Sequence, residues 1–167
     1  MNSPRVHLLV DQIRFAREYT LGLLKDFHED EWFAMPGGVT HVAWQAGHLA
    51  FAQYRLCLDR IRGERPDDAQ IISAGELAIF GRDSRPDPDP TAYPSPGEIL
   101  ATLARVHEAS IAACSRLDDA ELDLPILKPH RLFNTKLGAL SWCPMHEMTH
   151  AGQLGLLRRL LGRQPQW

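Results

Sequence analysis

The chain has 167 residues, 44% of them hydrophobic, and a formal net charge of -3 with histidine neutral; this length suits a single domain spanning 1–167 with a core that needs no staples. The slight negative charge and the lack of a basic run exclude an electrostatic case for nucleic acid or an anionic membrane surface, and no apolar run is long enough to span a bilayer. Cys57, Cys114 and Cys143 are odd in number and form no CxxC, which argues against a disulfide framework; with no apolar signal core in MNSPRVHLLVDQ, a cytoplasmic protein is expected.

Four helical stretches are predicted, and no segment carries a convincing strand pattern. The first runs from about Ser3 to His28. Ser3 and Pro4 read as N-cap and first helical residue, and Val6, Leu9, Ile13, Ala16, Thr20, Leu23 and Phe27 form a stripe at steps of three and four. Met35-Pro36-Gly37-Gly38 breaks the chain. The second helix is expected to start after an N-cap at Thr40 and to end at Gly63. Val42, Trp44, Ala46, Leu49, Phe51, Leu56 and Leu58 make much of its circumference apolar, as in a helix deep in a bundle.

Residues 64–97 form a long connection. Its second half, SRPDPDPTAYPSP, favours extended backbone, and one or two helical turns are expected within Ile71–Phe80. Ser95-Pro96-Gly97-Glu98 supplies a cap, a first-turn proline and a capping-box glutamate for the third helix. Leu100, Leu103, His107, Ile111 and Cys114 mark its expected inner face, and it ends near Leu117. After a loop with Pro125 and Pro129, the fourth helix runs to Gly162, with Arg158 and Arg159 at its negative end and Pro144 expected in its first turn. The fold expected is all-α: a four-helix bundle with a long crossover connection between helices 2 and 3.

The last helix carries HEMTH, residues 146–150, the H-E-x-x-H signature of zinc proteases. Residues four apart share a helix face, so His146 and His150 can aim two imidazoles at one cation. Leu154, Leu157 and Leu161 continue that face, which points the pair inward. A protease needs more than this. The metzincin pattern would place glycine and histidine where Gln153 and Leu156 stand, and the 17 residues after His150 contain no His, Asp, Glu or Cys. An H-E-x-x-H protease is therefore not expected, and a third ligand is expected from upstream.

His48 is the best candidate. It lies among small and apolar residues in WQAGHLAF, where a histidine is either a core residue with one hydrogen bond or a ligand; an inward HxxxH pair tips the balance to ligand. His41, two turns earlier on nearly the same face, is held in reserve. His7, His28 and His130 lie near helix ends or loops, where solvation is expected, and His107 can simply fill the third helix's inner face.

WQAGHLAFAQ on the second helix, YPSPGEILATL opening the third and HEMTHAGQLGLLRRLLGRQP closing the chain resemble the DinB-like (DinB/YfiT) superfamily in order and spacing over nearly the full length. The closing H-E-x-x-H-x-G-Q and R-x-L-G-x-x-P are the most specific part; Pro144 departs from the pattern. The resemblance implies a divalent metal, zinc or nickel, held by one histidine of the second helix and an HxxxH pair of the last. By position these are His48, His146 and His150. It also implies a frequent homodimer.

A three-histidine site leaves coordination positions open to water or a small-molecule substrate. The resemblance points to a metal-dependent enzyme, with transfer of a low-molecular-weight thiol ahead of hydrolysis; the alternative is a non-catalytic metal-binding stress-response protein. Glu147 is the candidate catalytic residue, orienting a metal-bound water or a neighbouring imidazole, or else a helix-surface glutamate. Gln153 faces either the ligands or an interface, Trp44 either the core or a substrate, and Arg55 either a rim salt bridge or an anionic substrate.

Overall fold

The computed structural model describes residues 4–165, so the expected cap at Ser3 lies outside the described residues. We number the helices α1 (Pro4–Leu24), α2 (Val42–Tyr54), α3 (Ala74–Ile79), α4 (Pro96–Cys114), α5 (Asp119–Leu122) and α6 (Lys136–Leu160). The α2 rod continues through a wide π turn, Arg55–Asp59, into a last turn at Arg60–Arg62. The described residues contain one isolated bridge, Pro125 to Thr135, and no strand. The chain is all-α.

The long helices close a circuit: α1 packs on α6, α6 on α2, α2 on α4, and α4 on α1. The predicted α1 stripe, Val6 through Phe27, is buried throughout. Regular α1 nevertheless stops at Leu24. Asp26 and Phe27 donate to Leu23 and Leu24, at 3.3 Å each, a tightened turn that still sends Phe27 and Trp32 into the core.

The apolar interior forms two clusters. One gathers Leu23, Phe27, Leu49, Phe80, Ile99, Leu103 and Leu154. The other gathers Ile13, Leu56, Ile61, Leu122, Leu140 and the three cysteines, all of them free and buried. Hydrogen bonding with Cys114 and Cys143, together with burial, pushes the Cys57 thiol well above its ordinary pKa.

Arg17 of α1, 2% exposed, reaches all three other long helices. Its Nε donates to Oε1 of Glu147 at 2.7 Å, its Nη1 to the Leu103 carbonyl at 2.9 Å, and its Nη2 to Oε1 of Gln53 at 2.8 Å. A buried charge is tolerated only when paired and hydrogen-bonded. This network meets that condition and fixes the relative register of four helices.

Three sequence expectations change. The α2 N-cap is His41, not Thr40. His41 Nδ1 accepts from the Trp44 N–H at 3.0 Å, while the Thr40 hydroxyl accepts from Gln45 at 2.9 Å. The inner face of α4 is Ile99, Thr102, Leu103, Val106, Ser110 and Cys114, so Leu103 and Cys114 are buried as expected and the rest of the face is shifted. Leu100 is 36% exposed, and His107 and Ile111 are half-buried. Finally, Pro144 lies inside α6, which starts at Lys136 after a Thr135 cap. A proline there removes one backbone donor and costs about 3 kcal/mol. Ala139, Leu140, Cys143 and Pro144 are all buried, and this packing offsets the loss.

The long connection is more structured than its prolines suggest. It carries 3-10 turns at Pro66–Gln70 and Pro90–Ala92 as well as α3, which a Ser73–Glu76 capping box opens. The same device, Ser95 with Glu98, opens α4 as expected.

Candidate metal centre

The α2 rod presents His48, and α6 presents His146 and His150. Their available nitrogen atoms all lie within 4.8 Å of one another. Ring centroids are 4.5 Å apart for His146 and His150, 4.9 Å for His48 and His150, and 5.4 Å for His48 and His146. His48 and His150 are buried and His146 is half-buried.

Two of the rings are held in one tautomer. His48 Nδ1 donates to the Phe80 carbonyl at 2.8 Å, just after α3. His150 Nδ1 lies 2.5 Å from Oε1 of Gln45. Both protons of the Gln45 amide are used, on the Thr40 hydroxyl and on Oε1 of Gln153, so its oxygen must accept. In each ring Nε2 is left with a free lone pair, the form a metal needs. Trp44 stacks on one face of His48 at 4.7 Å with planes 11° apart and is itself held by donating to the Ser84 hydroxyl at 3.0 Å.

Burial lowers the pKa of all three. His48 falls through desolvation. His146 drops to about 4 through burial and the His48 and His130 charges, and His150 to about 3 through burial and its two neighbours. Three neutral imidazoles with convergent lone pairs fit a borderline divalent cation such as zinc or nickel. Metal–nitrogen bonds of about 2.0–2.1 Å require the donors to draw closer, and His146 has no hydrogen-bonded anchor among the described residues.

His48 and His146 also line a cleft of about 630 Å³ with Phe51, Arg55, Arg82 and Trp142. Three candidate ligands, two of them beside open space, leave room for a further molecule; structural zinc sites usually enclose the ion with four.

The other candidates fall elsewhere. Both ring nitrogens of His41 are in use, on Trp44 and on the Asp87 carbonyl, so it cannot be a reserve ligand. His107 Nδ1 accepts from Gln53 at 3.1 Å, away from the cluster. His7 and His28 are exposed. His130 is half-buried, stacks on Phe133 at 4.0 Å and lines the cleft, which its loop position did not suggest.

Glu147 is 2% exposed, which overturns the surface alternative. Both its oxygens face Arg17, at 2.7 and 3.2 Å, and it does not line the cleft. Sequence reasoning missed the Phe80 carbonyl, Gln45, Arg60 and Arg82. Gln45 had a signal in retrospect, since it precedes His48 by three residues on the same helix face.

A crystal structure titled as that of a conserved protein of locus from Enterococcus faecalis shares the fold. Its TM-score is 0.75 at 19% sequence identity, with 98% of this chain and 99% of that one covered. No curated protein matches the chain. The family model described as the DinB superfamily matches residues 12–154, a span containing all three histidines, and the chain therefore belongs to the DinB superfamily.

Proposed function

We propose that the protein is a divalent-metal-dependent enzyme that binds zinc or nickel through His48, His146 and His150 and acts on a small molecule in the adjoining cleft. The observation that carries this reading is the grouping of the three donors, two of them on the wall of an open cleft, with no fourth protein ligand in the group among the described residues. A metal fixed for structure alone would be better served by a closed four-ligand shell, which weighs against the non-catalytic stress-response alternative.

A bound cation there would supply Lewis acidity, lowering the pKa of a bound water or thiol. The chain's own residues do the rest. Phe80 and Gln45 hold two imidazoles in the ligating tautomer, and Trp44 walls one side. Arg17 and Glu147 are positioning residues that hold α1 to α6 just beneath the HxxxH pair. Transfer of a low-molecular-weight thiol to an electrophile is the leading reaction, on the strength of the family likeness, with hydrolysis second.

The three free cysteines suit a reducing cytoplasm, and no described helix is long and apolar enough to cross a membrane. Phe15 of α1 (65% exposed) and Met145 of α6 (57% exposed) share an apolar groove, the face we assign to a homodimer contact. The function is tested by screening metal-loaded protein against small thiols and electrophiles, with His150→Ala as control. A rate lost in the variant is expected, and equal rates in both would end the catalytic reading.

A further inference from the structure

Six residues of the α2 rod line the cleft: His48, Phe51, Ala52, Arg55, Leu56 and Arg60. In a regular α-helix the face of residues 48, 52 and 55 returns at position 59. The π turn over Arg55–Asp59 adds width to one turn, and the face returns one residue later, at Arg60. Asp59 is turned inward instead, fully buried. The wide turn thus exchanges a carboxylate for a guanidinium on the cleft wall. Such turns are common at functional sites.

The charges around the cleft do not balance. Asp83 is the one carboxylate among the lining residues, against Arg55, Arg60 and Arg82. Arg55 is already engaged by Asp59 Oδ2 at 2.7 Å, and Lys128 takes the other Asp59 oxygen at 2.6 Å. Arg60 donates Nη1 to the Arg55 carbonyl at 3.3 Å, but its Nε–H is buried without a hydrogen-bond partner. Burial and the Arg55 charge push the Arg60 guanidinium below its ordinary pKa, against the pull of Asp59. Arg82, exposed and lining the same cleft, has no hydrogen-bond or ion-pair partner among the described residues. Buried donors are nearly always satisfied, and planar guanidinium forks match carboxylate oxygens.

We propose that Arg60 and Arg82 form an oxyanion subsite, which holds the carboxylate of an elongated small acid whose other end meets the three histidines. This rests on the metal-centre reading above and names its substrate class. Residues 48 to 60 span at most roughly 18 Å of helix rise, so a ligand serving both ends is a chain and not a simple ion.

The test uses mercaptohexanoate and mercaptohexanol, matched in length and thiol and different in charge. Binding to zinc-loaded protein is measured by calorimetry at low and high salt. The acid is expected to bind about tenfold tighter, the size of one charge-assisted hydrogen bond, with the gap shrinking as salt rises. Arg82→Ala, a surface change, should lower affinity for the acid several-fold and leave the alcohol unaffected; Arg60→Gln should do the same while retaining the helical circular dichroism. In metal-free protein the acid should still shift the Arg60 Nε–H resonance, and the alcohol should not. Failure to bind zinc with that shift intact would remove the metal reading and leave the subsite. Equal affinity for acid and alcohol, or no shift with the acid, overturns the subsite and leaves the metal reading standing.

Discussion

Nδ1 of His150 lies 2.5 Å from Oε1 of Gln45, and the Gln45 amide nitrogen is tied in turn to Thr40 and Gln153. The tautomer of this candidate ligand is thus set by a chain of hydrogen bonds running from the start of α2 to α6. Gln45→Leu removes the acceptor and keeps the approximate bulk. Zinc affinity should fall by about 10–100-fold, the range seen when a ligand's outer partner is lost. A competition titration against a chromophoric chelator reads this, and unchanged affinity would show that the contact is incidental.

Gly47 sits directly under Phe80. A Cβ at that position would lie 2.3 Å from the Phe80 ring, and the Phe80 carbonyl holds His48. Gly47→Ala should therefore destabilise the fold by about 1–3 kcal/mol, as overpacking does, and weaken zinc binding as well. Denaturant midpoints and the same titration measure the two effects. Loss of stability with full zinc affinity would mean that the ring moves without its carbonyl.

Glu147 and Arg17 neutralise each other out of water, with side chains 2% and 3% exposed. Glu147→Gln leaves the guanidinium charge buried and should cost about 3–5 kcal/mol. The double change Arg17→Met with Glu147→Leu should cost less than that single one, because no orphan charge remains. Chemical denaturation of the three proteins checks the order. A catalytic role would show instead as a rate loss in Glu147→Gln with stability intact.

Burial, helped by the Arg17 and Arg14 charges, lowers His107 to about 4. Its folded pKa lies below the unfolded value, so the unfolded chain binds more protons between about pH 4 and pH 6.5. Stability is full above that window and is lost as pH falls through it. His107→Gln keeps an acceptor for Gln53 and should flatten the fall of metal-free protein by up to about one proton. An unchanged slope would assign the acid sensitivity to other groups.

Much of the candidate metal centre was legible because helical spacing alone brings His146 and His150 together, and the apolar neighbours of His48 point it inward. The groups that orient these rings were not. One is a backbone carbonyl at Phe80, which has no residue signature, and the Gln45 contact depends on how α2 meets α6. Local rules also misjudged two helix starts. Threonine outranks histidine as a cap, yet His41 caps α2 because Thr40 is committed to Gln45. Pro144 looked like a first-turn residue until the packing around it offset its lost hydrogen bond. The π turn that brings Arg60 to the cleft leaves no periodic trace, since one extra residue in an apolar rod shifts the pattern without breaking it.

We expect His48, His146 and His150 to hold one cation between them. Elemental analysis of untagged protein, purified without chelator and reconstituted with zinc, tests it most directly beside His48→Ala and His146→Ala. One ion per chain is expected in the parent protein, with a large loss in each folded variant. Equal metal in all three proteins, or none in any, would contradict it.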